Sequence, residues 1–279
     1  MNAEDYLEKM LKKEEIYFGI KSQEYYTSLI NSWMNDKNNS KHRFDTIKLY
    51  LPNAKKILDM GFGCGTFMFY GLINNYDIYG IDPSKWKFRF NEMKIKEYSY
   101  PSEWINRFVI RYGENLPFED NFFDCISTYQ TLEHVQNIDL VLKEMLRVIK
   151  SEGGIHLKFP DYTSTFEAHY LVPWLPFFPK RLARMYLRLL KKPVLGLDTL
   201  QYITRNNIIK RISRICKEKS SWKIKIVDVK KVKVERELKK RKIPRLRGIT
   251  YLLYLFFEYL KSFFRTEISC DLFIYIKKH

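Results

Sequence analysis

At 279 residues, with 46% hydrophobic and 29% charged residues, the chain is long enough to bury a full core and too apolar to remain disordered. Its formal charge of +17 admits a nucleic-acid or anionic-membrane partner, and equally fits a composition simply rich in lysine. Cys64, Cys125, Cys216 and Cys270 are scattered without a C-x-x-C pair, which excludes the usual thiolate zinc spacings, predicts no metal and suits free thiols in a reducing cytoplasm.

The first segment, Met1 to Lys13, is charged and helix-like, with no apolar core of a signal peptide. Tyr6, Leu7, Met10 and Leu11 recur at helical spacing, as do Tyr25, Tyr26, Leu29, Ile30 and Trp33. A polar run, Asn35 to Ser40, separates them from a third helix, His42 to Leu51, which Pro52 closes. Residues 1–52 therefore read as an N-terminal helical segment, either a helical cap over a ligand cleft or simple packing on a sheet edge.

A short apolar strand at Lys56 to Asp59 then breaks into Gly61, Gly63 and Gly65 before an apolar helix start at Phe67. Glycines here allow a sharp turn and let a ligand approach bare backbone, and the helix behind presents free N–H groups. The dinucleotide fingerprint G-x-G-x-x-G fits poorly, because Thr66 stands where the third small residue should fall, so a nicotinamide dehydrogenase is the least favoured reading. A second strand, Ile78 to Asp82, ends 21 positions after Gly61, near the offset at which a carboxylate accepts ribose hydroxyls. The alternative for Asp82 is a cap on the next helix.

A third strand is predicted near Arg107 to Arg111 and a fourth at Cys125 to Tyr129, followed by Gln130-Thr131-Leu132-Glu133-His134-Val135. An amphipathic helix, Leu140 to Ile149, turns at Lys150 to Gly154 into a fifth strand, Ile155 to Phe159. Five βα units in succession predict a mostly parallel, doubly wound sheet.

Four stretches carry a resemblance. Asp59 with the three glycines resembles D/E-x-G-x-G-x-G, and Tyr112 to Asp124 resembles D-A-E-x-L-P-F-x-D-x-S-F-D. Leu132 to Val135 resembles L-E-H-V, and Arg147 to Gly154 resembles R-V-I-K-x-x-G-G. Together, over about residues 55–160, they resemble the methyltransferase type 11 family of class I S-adenosylmethionine-dependent methyltransferases.

The resemblance implies an α/β fold: a doubly wound, Rossmann-like seven-stranded sheet with N-terminal helices, a lid insertion after strand 5 and a helical insertion between the last two strands. It implies S-adenosyl-L-methionine as cofactor. Asp59 would meet the methionine end or order the loop, and Gly61, Gly63 and Gly65 would give the backbone approach. Asp82 would bind ribose, and Gln130 and Thr131 would floor the site near the methyl. Tyr112 departs from the family, which usually has an acidic adenine contact there, so the backbone of Gly113 and Glu114 is the alternative source of that contact.

Residues 161–220 follow the cofactor-binding core (53–160) as a lid. Pro160, Pro173, Pro176 and Pro179 punctuate an aromatic stretch, and a basic amphipathic helix runs from Lys180 to Lys191. A further helix spans 205–218 with Thr204 at its N-cap. Strands at Trp222 to Val229 and Cys270 to Ile276 bound the last part, 221–279, of what reads as one domain. Between them a basic run, Lys230 to Arg247, leads into an apolar run, Gly248 to Phe264, shorter than a membrane span. It suits either a helix lying on an anionic membrane surface through 230–264 or one buried against protein.

For a hydroxyl acceptor a general base is useful, and His169 beside Glu167, at the start of the lid, is the candidate among five histidines, the alternative being a histidine packed among aromatics. The leading expectation is O-methylation of a small-molecule, glycan or lipid-linked acceptor by a cytoplasmic enzyme, free or membrane-associated. An RNA methyltransferase of the tRNA type and a non-catalytic cofactor-binding or membrane-docking protein are the alternatives. Oligomeric state is not legible.

Overall fold

The computed structural model describes residues 1–218, 222–240, 252, 253, 256, 257, 260 and 268–278. Three helices open the chain: α1 (Ala3–Phe18), α2 (Gln23–Met34) and α3 (Lys41–Tyr50). Asn2 caps α1 reciprocally, accepting from the Asp5 N–H at 2.7 Å while the Asp5 carboxylate accepts from its own N–H. The inward residues are those the helical period selects, Leu7 and Leu11 on α1 and Tyr26 and Ile30 on α2.

The strands and helices then alternate. β1 (Lys56–Met60), α4 (Thr66–Ile73), β2 (Asp77–Ile81), α5 (Lys85–Glu97), β3 (Phe108–Val109), β4 (Phe123–Tyr129), α6 (Ile138–Val148) and β5 (Ile149–Pro160) build the doubly wound half. β6 (Phe166–Glu167) and β7 (Val172–Pro173) form a small antiparallel hairpin, and α7 (Lys180–Leu189), α8 (Leu195–Thr199) and α9 (Arg205–Glu218) follow. β8 (Lys223–Asp228), α10 (Val229–Lys240) and β9 (Ser269–Lys277) complete the described elements.

The seven-stranded sheet runs β3-β2-β1-β4-β5-β9-β8. The pairs from β3 to β5 are parallel, and β9 lies antiparallel to both β5 and β8. This is the expected architecture, with two differences in extent. The third strand is only Phe108–Val109, an edge strand with one pairing partner, β2. β5 begins earlier than expected, at Ile149, with a register shift where it meets Phe123 and Cys125 of β4.

Both faces of the sheet are covered, which is why its central strands are apolar almost throughout. Ile57, Cys125 and Phe273 pack toward Phe44 of α3 and Phe67 of α4 on one face. Leu58, Ile126, Leu272 and Ile274 pack toward Val141 and Met145 of α6 and Ile208 and Ile212 of α9 on the other. The alternation from Ile57 to Leu58 is the two-residue period of a strand. It also decides that Asp59 faces α3.

The segment after β5, expected to form a lid, has a small core of its own, in which Tyr170, Val172 and Trp174 meet Ala183, Leu187 and Leu197, with Phe18 of α1 packed against it. Gly196 permits this approach: a Cβ there would lie 2.3 Å from a ring carbon of Phe18. The expected basic-to-apolar run 230–264 falls partly outside the described residues. Its first part, to Lys240, is α10, and Leu252, Leu253, Phe256 and Phe257 are helical and exposed. Among the described residues no helix is long and apolar enough to cross a membrane.

Candidate active site

In an open α/β sheet the ligand crevice lies beyond the carboxyl ends of the strands, where the order reverses. Here that point is β1, flanked by β2 on one side and β4 on the other. A cleft of about 620 Å³ opens there, within the usual size of a small-molecule site. Gly61, Gly63, Asp82, Gly113, Glu114, Gln130 and Thr131 all line it, together with Tyr112. Leu29 and Trp33 of α2 and Arg43 of α3 close it from the cap.

The glycine loop is held by its own backbone. Gly61 N–H and Phe62 N–H donate to the Ile81 carbonyl at 2.8 and 3.1 Å, tying the loop to the end of β2. Gly63 N–H donates to Asp82 Oδ2 at 3.0 Å, and Gly63 O accepts from Asn91 of α5 at 3.0 Å. All three glycines have positive φ, and their roles differ. A Cβ on Gly61 would lie 2.3 Å from Thr131 Oγ1, and one on Gly65 would lie 2.1 Å from Asn91 Oδ1, so these two permit packing. A Cβ on Gly63 would meet nothing nearer than 4.0 Å, so there the bare backbone faces open space.

Asp82 is buried at the cleft edge. Each of its oxygens accepts one backbone N–H, Oδ2 from Gly63 and Oδ1 from Ser84 at 2.9 Å, with Lys87 Nζ 3.5 Å from Oδ2. A carboxylate oxygen has two acceptor positions, so each keeps capacity for a ligand hydroxyl. Gln130, at the end of β4, holds a left-handed φ of 50° while its N–H donates to the Lys158 carbonyl at 2.7 Å. A side chain other than glycine in that region costs free energy, and such strain gathers at ligand sites.

Asp59 and Gly65 stand outside the cleft wall. Asp59 is almost wholly buried, and Arg43 Nη2 lies 2.7 Å from its Oδ1. The same guanidinium donates to Ser127 Oγ at 2.8 Å and sits 3.7 Å above the Phe67 ring. Burial raises the Asp59 carboxyl from 3.8 to about 6, with Arg43 opposing. Glu114 Oε1 braces the N-terminal side of α6, accepting from Gln136 and Asn137 N–H at 2.8 and 3.0 Å. Tyr112, 57% exposed, projects into the cleft mouth.

His169 and Glu167 lie on the lid. His169 Nδ1 is 2.8 Å from Glu167 Oε1, and the other Glu167 oxygen accepts the Tyr170 N–H at 2.8 Å. The His169 ring stands edge-on to His134, 5.1 Å between centroids, and His134 lines the cleft. The surrounding protein, with His169 and Lys87, lowers His134 to about 3, so its imidazole is neutral near pH 7. The lid is tied to this floor by the Gln201 N–H, which donates to the Glu133 carbonyl at 2.6 Å.

Sequence reasoning did not single out Arg43, Asn91 or Lys94. Lys94 of α5 is fully buried, paired with Asp36 and donating to the carbonyls of Trp33 at 3.0 Å and Cys64 at 3.3 Å. It thereby joins the cap to the glycine loop. A lysine and an arginine in helices read as surface residues unless their partners are known, and those partners are distant in sequence.

Comparison with known proteins decides the class of site. Residues 58–157 match the family model described as a methyltransferase domain. Over those residues the chain carries a methyltransferase domain. An uncharacterized methyltransferase of Schizosaccharomyces pombe is 34% identical over 120 residues, 41% of this chain and 43% of that one. A demethylmenaquinone methyltransferase of Geobacillus sp. is 29% identical over 150 residues, 52% of this chain and 62% of that one. The chain thus spans between 43% and 62% of the length of these two relatives. Among solved structures, phosphoethanolamine N-methyltransferase 2 of Haemonchus contortus, in complex with S-adenosyl-L-methionine, superposes with a TM-score of 0.53 at 12% identity, over 100% of this chain and 60% of that one. That likeness is one of fold. S-adenosyl-L-methionine is the cofactor of this class of methyltransferase domain.

Proposed function

We propose that the protein transfers a methyl group from S-adenosyl-L-methionine to an oxygen of a small amphipathic acceptor. The observation that carries this reading is the bare backbone at Gly63, facing open space beside the Asp82 carboxylate in a cleft at the β1 switch point. On this reading Asp82 accepts the ribose hydroxyls, Gly113 and Glu114 take the adenine end, and Gln130 and Thr131 floor the methyl end. Asp59 acts at one remove, fixing Arg43 and with it the cap helix over the cleft. The bound cofactor supplies an electrophilic methyl on a positive sulfur.

The protein's own task is then to orient the acceptor, exclude water and deal with the acceptor proton. Leu29 and Trp33 give the cleft an apolar wall on the cap side. Leu175, Phe177, Leu182 and Met185 leave apolar surface exposed on the lid, which suits an acceptor with a hydrophobic part. Phe177 itself has a left-handed φ of 57°. The Glu167–His169 pair forms the acceptor-activating end, because it meets His134 at the cleft. Demethylmenaquinone and sterol methyltransferases among the relatives support an amphipathic acceptor class.

Calorimetric titration with S-adenosyl-L-methionine tests the cofactor half. Micromolar binding by the wild type, weakened at least about tenfold in Asp82→Ala, is expected from the loss of hydrogen bonds to a charged acceptor. An acceptor screen with labelled cofactor tests the other half, with label in organic-extractable products expected. Label found only in RNA would overturn the acceptor assignment, and absence of cofactor binding by the wild type would overturn the reading altogether.

A further inference from the structure

Glu133, His134 and His169 bring one carboxylate oxygen and two ring nitrogens within 4.8 Å of one another. Glu133 and His134 come from the one-turn helix after β4, Leu132–His134, and His169 from the turn of the β6–β7 hairpin. Core and lid therefore each contribute a donor. We propose that these three side chains bind a divalent transition-metal ion, such as Zn²⁺, between the lid and the cofactor cleft.

The donor chemistry fits. Two imidazoles and one carboxylate with an open position are a recurring set for zinc and for other first-row divalent ions. Bond lengths of about 2.0–2.2 Å place such donors roughly 3–4 Å apart, so the widest spacing of 4.8 Å has to contract by about 1–2 Å when an ion binds. His169 is also oriented for the task. Its Nδ1 lies 2.8 Å from Glu167 Oε1. A carboxylate behind a ligating histidine fixes its tautomer and raises its basicity. Glu167 is itself held by the Tyr170 N–H at 2.8 Å.

Position gives the ion a use, and this part rests on the proposed methyl transfer. His134 lines the cleft together with Gln130 and Thr131, so an ion held by it would stand beside the proposed methyl end. An acceptor hydroxyl bound there loses its proton to water more readily, because the cation stabilises the oxyanion. That oxygen then forms a bond to the methyl carbon as the carbon–sulfur bond breaks, and the electron pair stays on sulfur. His169 would in this arrangement hold the ion and leave proton removal to solvent.

The test uses the full chain, stripped with a chelator and titrated with Zn²⁺ by calorimetry and with Co²⁺ by visible absorption. One equivalent of each ion is expected, with d–d bands that Zn²⁺ displaces. His169→Ala and His134→Ala should each weaken binding by at least tenfold. Glu167→Gln, which keeps every ligand, should weaken it by about 10- to 100-fold. Titration of the same variants with S-adenosyl-L-methionine separates the two proposals, since cofactor binding is expected to persist in Glu167→Gln. No uptake of either ion by the wild type, or uptake unchanged in all three variants, would overturn the metal site while leaving the methyltransferase reading intact. Zinc uptake without cofactor binding would do the reverse.

Discussion

Arg43 Nη2 lies 2.7 Å from Asp59 Oδ1, which pins the last helix of the N-terminal cap to the strand that launches the glycine loop. Both groups are buried, and the guanidinium also reaches Ser127 on β4. One side chain thus spans the two strands whose ends form the cleft floor.

Breaking this pair is expected to be costly. Arg43→Ala leaves a buried carboxylate without its cation, which typically destabilises by about 3–5 kcal/mol. Asp59 escapes part of this cost by taking up a proton, so the loss should be smaller at pH 5 than at pH 8. Urea denaturation of wild type and variant at the two values measures it. A loss under 1 kcal/mol at both would mean that the pair contributes little.

The same carboxyl gives a pH dependence whose sign follows from burial. Its pKa is raised from 3.8 to about 6 in the fold. Between those values the folded chain therefore holds more protons than the unfolded one. The stabilisation this represents is fully present below the unfolded pKa and is lost as pH rises through about 6. A shift of about two units corresponds to roughly 3 kcal/mol. Asp59→Asn should remove that downward slope from the stability profile, and an unchanged slope would assign it to other groups.

Gly61 should not tolerate a side chain. In Gly61→Ala the new Cβ meets Thr131 Oγ1 at 2.3 Å and Thr131 Cγ2 at 2.7 Å, at a φ of +85°. Overpacking and the left-handed backbone together predict a loss of about 2–4 kcal/mol and weaker cofactor binding. Adding Thr131→Ala should recover the steric part and leave the backbone part. Thermal unfolding of the single and double variants separates the two, and no recovery in the double variant would show that the clash is not what costs.

Lys94 and Asp36 form a second buried pair behind the loop. Lys94→Met keeps the packing of the stem but strands Asp36, whose carboxyl burial already holds above its usual range. A loss of about 3–5 kcal/mol is expected. Lys94→Met with Asp36→Leu should be markedly milder than the single change, because no charge is then left unpaired. A double-mutant cycle with no coupling energy would refute this account.

Much of this protein is legible without coordinates. The alternation of apolar strands with amphipathic helices, the glycine loop after β1, and Asp82 at the end of β2 are local patterns, and repeated βα units imply a mostly parallel, doubly wound sheet. The length of the third strand is not local: as an edge strand paired only to β2, it is as long as that one pairing allows. The roles of charged residues were also hidden. Arg43 and Lys94 look like surface cations in sequence and become buried because Asp59, Asp36 and Ser127 arrive from other elements.

The candidate site divides in the same way. The residues lining the cleft come largely from the loops after β1, β2, β3 and β4, where sheet topology gathers them; spacing pointed to the glycines and Asp82, and the family resemblance to Gly113, Glu114, Gln130 and Thr131. The meeting of Glu133 and His134 with His169 depends on how the lid hairpin folds back over the core, held by Phe18, Gly196 and the Gln201–Glu133 backbone bond. Periodicity reports which face of an element is buried; only tertiary packing decides which side chains from separate elements share one point in space.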